Sequence, residues 1–239
     1  MRKIMILTLF ALAMVASSAK AGFWDQAKEI IAPASQESLD ESTIVSGLKE
    51  ALSQSAANAV SSAAKLDGYF GNEAIKVLMP EKIRTVADTL KKFGFQQQLD
   101  DFVLSMNRAA EHAAPQAKSY FVDAIKEMSF EDAHKILKGN DTAATDYFKA
   151  KMQDKLYAAF EPSVSSSMNE VGVTRAYKNM MDKYTTIPFE KAESLDLDHY
   201  VTEKSLDGLF YMVGQEEKKV RTDPAARTTD LLKKVFGGS

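Results

Sequence analysis

Apolar residues recur every three or four positions along most of the chain, which is the spacing that places them on one face of an α-helix. The pattern is densest between Leu99 and Phe160, where it is interrupted at Pro115 and again at Gly139. No segment shows the sustained alternation of apolar and polar residues that is typical of a β-strand. We therefore predict an all-α, single-domain bundle of about nine or ten helices.

Capping and helix-breaking residues predict where these helices begin and end. In the first half of the domain, we expect helices at 42–66, 73–79 and 81–93, with Phe93 facing inward. Pro115 either kinks the next helix or starts a new one, and Ser129 with Asp132 predicts a capping box. In the second half, we expect a helix from Asn140 or Asp141 to Phe160, a new start at Pro162, a helix at 197–222 capped by Asp196, and a last helix started by Asp223 and Pro224.

The first of these helices, 42–66, carries an unusually small-sided apolar face, with alanine and serine at many of its inward positions. Small residues let two helix axes approach closely. Charged residues are sparse in this helix, so we expect neighbours to cover it on more than one side.

The N-terminal residues have the pattern of a cleaved export signal. Arg2 and Lys3 precede the apolar run IMILTLFALAMVA, and Ala19-Lys20-Ala21 has the small-residue spacing of a cleavage site. We predict a signal peptide over 1–21, cleavage after Ala21 and a periplasmic location. Residues 22–41 are predicted to form a short amphipathic helix and a linker, and the helical domain is predicted to span 42–239. The short helix either docks on the core or lies at a membrane interface.

Charge and composition exclude several classes of function. The chain has no cysteine, so disulfides, thiolate nucleophiles and thiolate metal sites are excluded. Removal of 1–21 takes away three basic residues and leaves 27 basic against 33 acidic residues, a net charge of −6. Nucleic-acid binding needs a basic surface, so we expect no nucleic-acid partner. No later segment is apolar enough to span a membrane, although peripheral contact stays an alternative.

Motifs with metal or anion chemistry are weak in this sequence. Glu131-Asp132-x-His134 and Asp196-x-Asp198-His199 resemble metal ligands, but acidic residues in a first helical turn are also favoured by the helix dipole. The loop Lys138–Thr142 precedes a helix and could hold an anion, although Gly139 and Asp141 are equally explained as helix-terminal residues. We predict no metal and no cofactor.

The sharpest candidate lies near the C-terminus. Helical spacing extends the apolar stripe of 197–222 to Glu217, with Arg221 one turn later in the order favoured for an ion pair. Asp223 and Arg227 follow across the break at Pro224. A charge on an apolar stripe needs a partner. We interpret the segment as a charged clasp that fixes the last helix, with a polar ligand pocket as the alternative.

A second polar pair lies on the densest stretch. Asn107 and Glu111 are one helical turn apart, on the flank of an apolar stripe. We expect them to hydrogen-bond to a neighbouring helix. These two residues complete our candidate polar cluster, whose members are Glu217, Arg221, Asp223, Arg227, Asn107 and Glu111.

Two long runs resemble a known bacterial family. They are SLDGLFYMVGQEEKKVRTDPAARTTDLLKKVFG and FVLSMNRAAEHAAPQAKSYFVDAIKEMSFEDAHKILKGNDTAATDYF. Both resemble signatures of domain-of-unknown-function family 4197, over roughly Val45–Phe236. The resemblance implies an exported, mainly helical bacterial protein and brings no catalytic residues. Members often have a lipoprotein-like N-terminus, which this chain lacks because it has no cysteine.

These observations predict a non-enzymatic binding or structural protein of the cell envelope, whose partner is an unknown protein or an apolar small molecule. The alternative is a carrier of a hydrophobic ligand or lipid in a pocket between helices, lined by the small-sided helix 42–66 and by methionines. An enzyme using Glu111 or Glu217 ranks last, because no second catalytic partner is identifiable.

Overall fold

The computed structural model describes residues 40–185 and 195–237. The described residues lie in one compact unit, Leu39–Ser239. The predicted signal peptide and its cleavage site lie outside them, as do all but the last two residues of the predicted N-terminal helix and linker.

Within the described ranges the chain forms α-helices joined by turns, without a β-strand, which confirms the predicted all-α bundle. The helices are α1 (Glu41–Ala63), α2 (Arg84–Lys92), α3 (Gln96–Ala113), α4 (Ala117–Glu127), α5 (Phe130–Leu137), α6 (Ala143–Val171), α7 (Val173–Thr185), α8 (Leu197–Thr222) and α9 (Asp230–Phe236). The chain also forms three short 3₁₀ turns. Glu81–Ile83 leads into α2, Ala114–Gln116 joins α3 to α4, and Pro224–Ala226 lies between α8 and α9.

Helix α1 is buried along most of its length, as its low charge predicts. Asp40 caps its first turn by accepting a hydrogen bond from the N–H of Thr43. The helix packs against α8 and α4, and α9 and α5 cover further parts of it. At Gly47 an added Cβ would lie 2.5 Å from Val235 on α9, so this glycine permits the close approach of the two helices.

The centre of the bundle is formed by α3, α6 and α8. Helix α6 packs against both of the others, and α3 also packs against α7. Edge-to-face aromatic contacts join Phe121 on α4 with Phe148 on α6 and Phe210 on α8. This core fixes the relative positions of α6 and α8, which form two sides of the cleft described below.

Local capping signals are confirmed where the whole signal lies within one turn. Ser129 and Asp132 form the predicted capping box at the start of α5, and Asp196 caps α8 through the N–H of His199. Hydrogen bonds from Ser129 hold the pKa of the Asp132 carboxyl below its ordinary value. Gly172 ends α6 in the left-handed conformation, with a φ of 80°.

The predicted helix at 73–79 is wrong. Residues 64–80 form turns and irregular backbone instead, and we call this segment the strap. The side chain of Asn72 accepts a hydrogen bond from the N–H of Ala74, and the backbone of Val77 pairs with Asn107 of α3. These bonds satisfy backbone groups that a helix would otherwise use.

Phe93 does not face inward. It is 61% exposed at the end of α2, where the chain leaves the helix before Gly94 with its positive φ, and Phe95 packs against the core instead.

Three helix starts also differ from the prediction. Helix α6 begins at Ala143 and not at Asn140 or Asp141, because Asn140 accepts a hydrogen bond from the N–H of Thr142 in the turn before the helix. Pro162 lies inside the continuous helix α6, and α9 is capped by Thr229, while Asp223 caps the preceding 3₁₀ turn.

The continuity of α6 through Pro162 has a packing explanation. A proline inside a helix removes one hydrogen bond and costs roughly 3 kcal/mol. The inward positions nevertheless continue at helical spacing on both sides of it, with Leu156, Phe160, Val164 and Met168 all buried. Burial of this stripe offsets the missing bond.

Candidate functional site

Glu217 is buried in α8, with 3% of its surface exposed. Its carboxylate accepts hydrogen bonds from the N–H groups of Ala144 (2.9 Å) and Thr145 (3.0 Å), and from the Thr145 hydroxyl (2.9 Å). These N–H groups belong to the first turn of α6, where the helix dipole favours a negative charge. The helix start that follows the loop Lys138–Thr142 therefore binds an anion from within the chain.

Arg221 also binds the Glu217 carboxylate, at the oxygen Oε1 that accepts from the N–H of Ala144. Its Nε and Nη2 atoms donate to Glu217 Oε1 at 3.1 and 2.9 Å, which is the i,i+4 pair expected from the spacing. Nη2 also donates to the carbonyl of Ile136 at 2.8 Å, and Nη1 to that of Leu137 at 3.4 Å. The guanidinium thus lies at the negative C-terminal end of α5. We call Glu217 and Arg221 the helix clasp, because the pair joins the end of α5 to the start of α6.

Asp223 and Arg227, the other two members of the C-terminal candidate, do not bond to the Glu217 carboxylate. Arg227 donates to the carbonyls of Val220 (3.0 Å) and Arg221 (2.8 Å) at the end of α8. Asp223 accepts from the N–H of Ala225 at 2.9 Å. Both residues fasten the turn between α8 and α9.

Glu111 forms a second buried cluster on α3, with 5% of its surface exposed. Its Oε1 atom accepts from the N–H groups of Tyr69 and Phe70, both at 3.1 Å. Its Oε2 atom accepts from Arg108 Nη1 at 2.6 Å, and Arg108 Nη2 donates to Asp67 at 2.7 Å. The carboxylate therefore holds the strap against α3.

Asn107 holds the same strap one helical turn earlier, and it is fully buried. Its Oδ1 atom accepts from the N–H of Val77 and its Nδ2 atom donates to the carbonyl of the same residue, both at 2.8 Å. A further donation goes to the carbonyl of Val103. Asn107 and Glu111 thus bond to the strap. The prediction that they bond to a neighbouring helix is wrong. We call Asn107, Arg108 and Glu111 the strap clasp.

The six predicted candidates therefore form separate clusters. Among the described residues, no hydrogen bond or ion pair joins the strap clasp to the helix clasp. The strap itself reaches α8 through Tyr69, whose hydroxyl donates to the carbonyl of Ser205 at 2.6 Å. Burial, together with the nearby Glu111 carboxylate, raises the pKa of Tyr69 above its ordinary value.

A surface cleft of about 500 Å³ lies between the elements that the two clasps hold. One wall is the end of the strap, another is the first two turns of α6, and the floor is one face of α8. We call it the strap cleft. It is lined by Ala74, Ile75, Lys76, Thr142, Thr145, Asp146, Lys149, Lys204, Asp207, Gly208, Phe210, Tyr211, Gly214 and Gln215.

Sequence reasoning missed this cleft. The one local signal is the pair of glycines inside α8, Gly208 and Gly214, because glycine is unfavourable in a helix interior and usually has a packing reason there. A Cβ at Gly208 would lie 2.7 Å from the ring of Tyr69. The two walls and the floor come from three segments that lie more than 50 residues apart along the chain. Spacing in the sequence could therefore not predict that they meet.

One histidine has neighbours that resemble a catalytic triad in composition. His112 Nδ1 lies 3.3 Å from both Ser167 Oγ and Glu170 Oε2. In a triad, the base contacts the nucleophile and the acid through different ring nitrogens. Here both contacts are made by one nitrogen, and the Ser167 hydroxyl donates to the carbonyl of Ser163. The arrangement cannot relay a proton from serine to the acid.

The two acidic segments with histidines have ordinary surface contacts. His134 Nε2 lies 2.7 Å from Glu41 Oε1, and His199 Nδ1 lies 2.7 Å from the Tyr157 hydroxyl. Across 40–185 and 195–237, no group of three or more metal-binding side chains is placed to hold an ion. No helix in these ranges has the length and hydropathy of a membrane span.

The fold and these two clasps define a helical protein with an open polar cleft. A family model described as a protein of unknown function, DUF4197, matches residues 38–237, and the chain belongs to this family. The match confirms the resemblance stated above. A search of the curated proteins and a search of the solved structures found no match.

Proposed function

We propose that the protein is an exported, non-catalytic binding protein of the bacterial envelope, and that the strap cleft is its binding site. Export is supported by the N-terminal pattern, in which a basic start, an apolar run and Ala19-Lys20-Ala21 follow one another. Cleavage after Ala21 would release the helical domain into the periplasm.

The observation that carries this proposal is the cleft and the way it is built. Its volume of about 500 Å³ lies within the range of small-molecule sites, roughly 300–1,000 Å³. Each wall is fixed by a buried clasp, since Asn107 and Glu111 hold the strap and Glu217 holds the start of α6. A site on such supported elements keeps its shape in the absence of ligand.

The hydrogen bonds of the buried carboxylates support a structural role over a catalytic one. Both oxygens of Glu217 and both oxygens of Glu111 accept bonds from donors of the protein itself. A general base needs a lone pair directed at a substrate proton. Neither carboxylate lines the strap cleft.

The alternative, a carrier of a hydrophobic ligand, needs a cavity beside the small residues of α1, and the structure has almost no empty space there. The void there is about 10 Å³ and is bordered by α1, α8 and α9. A pocket for a drug-sized apolar ligand needs roughly 300 Å³. The small residues of α1 instead permit close packing of α8 and α9, as the contact of Gly47 with Val235 illustrates.

Native mass spectrometry of the protein purified from its own envelope tests this proposal. We expect the chain to begin at Gly22 and to carry a bound small molecule or partner. Tyr211→Ala removes a 45% exposed side chain from the cleft lining and should abolish the bound mass. Phe93→Ala, which removes a 61% exposed side chain outside the cleft, is the matched control and should retain it.

A bare monomer from the native envelope would contradict the proposal. So would a bound species that Tyr211→Ala retains as fully as the wild type, because the binding site would then lie elsewhere. Recovery of the uncleaved chain from the cytoplasm would contradict the export assignment.

A further inference from the structure

We infer that the strap cleft takes a small anionic ligand that bears a phosphate or carboxylate group, either free in solution or as the headgroup of a lipid. This inference rests on the proposed function, since it names the chemical class of ligand for the same cleft. It is carried by three lysines, Lys76, Lys149 and Lys204, which line the cleft from three different elements.

Two of the three lysines lie against aromatic rings. Lys76 Nζ lies 4.2 Å from the centre of the Phe70 ring, and Lys149 Nζ lies 5.4 Å from that of Phe210. Cation–π contacts of this kind orient an ammonium group without neutralising its charge. The rings therefore hold two ammonium groups in place and leave their positive charges available to an anion.

Carboxylates compensate the lysines only in part. Lys204 pairs with Asp207 at 3.3 Å, and Lys76 has a loose partner in Glu73 at 3.9 Å. Lys149 has no carboxylate within 4.0 Å in the described part of the chain. The lining residues include three lysines against two aspartates, a net charge of +1 in a chain whose net charge is −3.

The other lining groups suit an anion attached to a small polar body. Thr142 and Gln215 add a hydroxyl and an amide, and Tyr211 presents an aromatic ring at the wall. Gly214 is buried against the start of α6, where an added Cβ would be 3.5 Å from Thr142 and Thr145. This contact sets the distance between α8 and the wall formed by α6.

The start of α6 does not itself supply the anion site, because the Glu217 carboxylate already occupies its N–H groups. Recognition therefore depends on the side-chain ammonium groups. A lysine binds phosphate as a compact point charge, and such contacts weaken as ionic strength rises.

Glycerol 3-phosphate and vesicles test the inference directly. The mature protein is titrated with glycerol 3-phosphate and with glycerol, and binding is followed by amide NMR shifts and calorimetry. We expect glycerol 3-phosphate to bind, with shifts at Thr142 and Gln215, and glycerol not to bind. Lys149→Gln should weaken binding by about fivefold or more, because one charge-assisted contact is lost.

Matched variants and vesicles complete the design. Lys76→Gln should weaken binding in the same way. Lys118→Gln removes an exposed lysine of α4 that has no ion pair with another described residue, and it should change the dissociation constant less than about twofold. Sedimentation with phosphatidylglycerol and with phosphatidylcholine vesicles distinguishes the two sources. Preference for phosphatidylglycerol that Lys149→Gln removes indicates a lipid headgroup, and binding of glycerol 3-phosphate alone indicates a free anion.

The inference is overturned if neither glycerol 3-phosphate nor phosphatidylglycerol binds, or if Lys149→Gln binds as well as the wild type. It is also overturned if native mass spectrometry finds a neutral molecule that Tyr211→Ala displaces. That last result would leave the proposed binding function intact, so the two failures are distinguishable.

Discussion

The helix clasp and the strap clasp bury a carboxylate in the same way at two places in the bundle. Glu217 accepts two consecutive backbone N–H groups of α6, and Glu111 accepts two consecutive backbone N–H groups of the strap. Each carboxylate also binds an arginine of its own helix, Arg221 or Arg108. A buried charge is tolerated when hydrogen bonds replace its hydration.

The two clasps differ in the partners and the solvent exposure that the arginine keeps when the carboxylate is removed. The Arg221 side chain is 11% exposed, and its remaining contacts are carbonyls at the end of α5 and the ring of Phe236, with no second carboxylate among the described residues. The Arg108 side chain is 26% exposed and keeps its 2.7 Å pair with Asp67. The difference teaches that the cost of truncating a buried ion pair depends on the partner left behind.

The largest expected effect is that of Glu217→Ala. It leaves the nearly buried Arg221 and the N–H groups of Ala144 and Thr145 without their acceptor. We expect the free energy of unfolding to fall by about 3 kcal/mol or more. Urea denaturation measures this loss, and a change below ~0.5 kcal/mol would mean that the pair behaves as a surface ion pair.

Glu111→Ala should cost less, about 2 kcal/mol, because Arg108 retains Asp67 and is more accessible to water. The same urea experiment measures the difference between the two variants. If Glu111→Ala proves more destabilising than Glu217→Ala, the exposure of the remaining arginine does not decide the cost.

Two glycines of α8 test how tightly the strap side is packed. Gly208→Ala places a methyl group 2.7 Å from the fully buried Tyr69 ring, so we expect a loss of about 1–3 kcal/mol from overpacking. Gly214→Ala is the matched control, since its Cβ meets only ordinary contacts at 3.5 Å. Helix propensity then favours alanine by up to about 1 kcal/mol. Thermal unfolding should therefore show a lower melting temperature for Gly208→Ala and an equal or higher one for Gly214→Ala. Equal changes in the two variants would contradict the close approach of Tyr69 to Gly208.

The smallest effect is expected at Asp132, a more accessible carboxylate that also lies at a helix start. Asp132→Asn removes part of the capping box and should cost about 0.5–1 kcal/mol at neutral pH. Since the folded pKa of Asp132 is lowered, its contribution is complete above the ordinary value of 3.8 and is lost as pH falls through the lowered pKa. Unfolding measured at pH 7 and near pH 3 should show the gap between wild type and variant shrinking. A gap that is constant with pH would mean that the carboxylate charge plays no part.

The sequence predicts those features of the fold that depend on a single turn or a single face. Helix ends are predictable where the capping residue contacts only its neighbours in the chain, as do Ser129 with Asp132, Asp196 and Gly172. The i,i+4 pair of Glu217 and Arg221 is readable for the same reason.

The strap and the cleft are not readable because distant side chains determine them. Asn107 holds Val77 from 30 residues away, and Glu111 holds Tyr69 from 42 residues away. These bonds override the helical pattern of 73–79. Glu217 accepts a hydrogen bond from Ala144, which is 73 residues away. The sequence therefore predicts the nearby partner Arg221 but not the contact with the start of α6.

Hydrogen exchange in the two conservative variants Glu217→Gln and Glu111→Gln tests most directly whether the clasps are independent structural anchors. Each variant keeps the shape of the side chain and removes its charge. We expect Glu217→Gln to speed amide exchange at Ala144 and Thr145 while Tyr69 and Phe70 stay protected, and Glu111→Gln to do the reverse. Unchanged exchange at all four amides, or equal loss at all four in both variants, would contradict the two separate anchors described here.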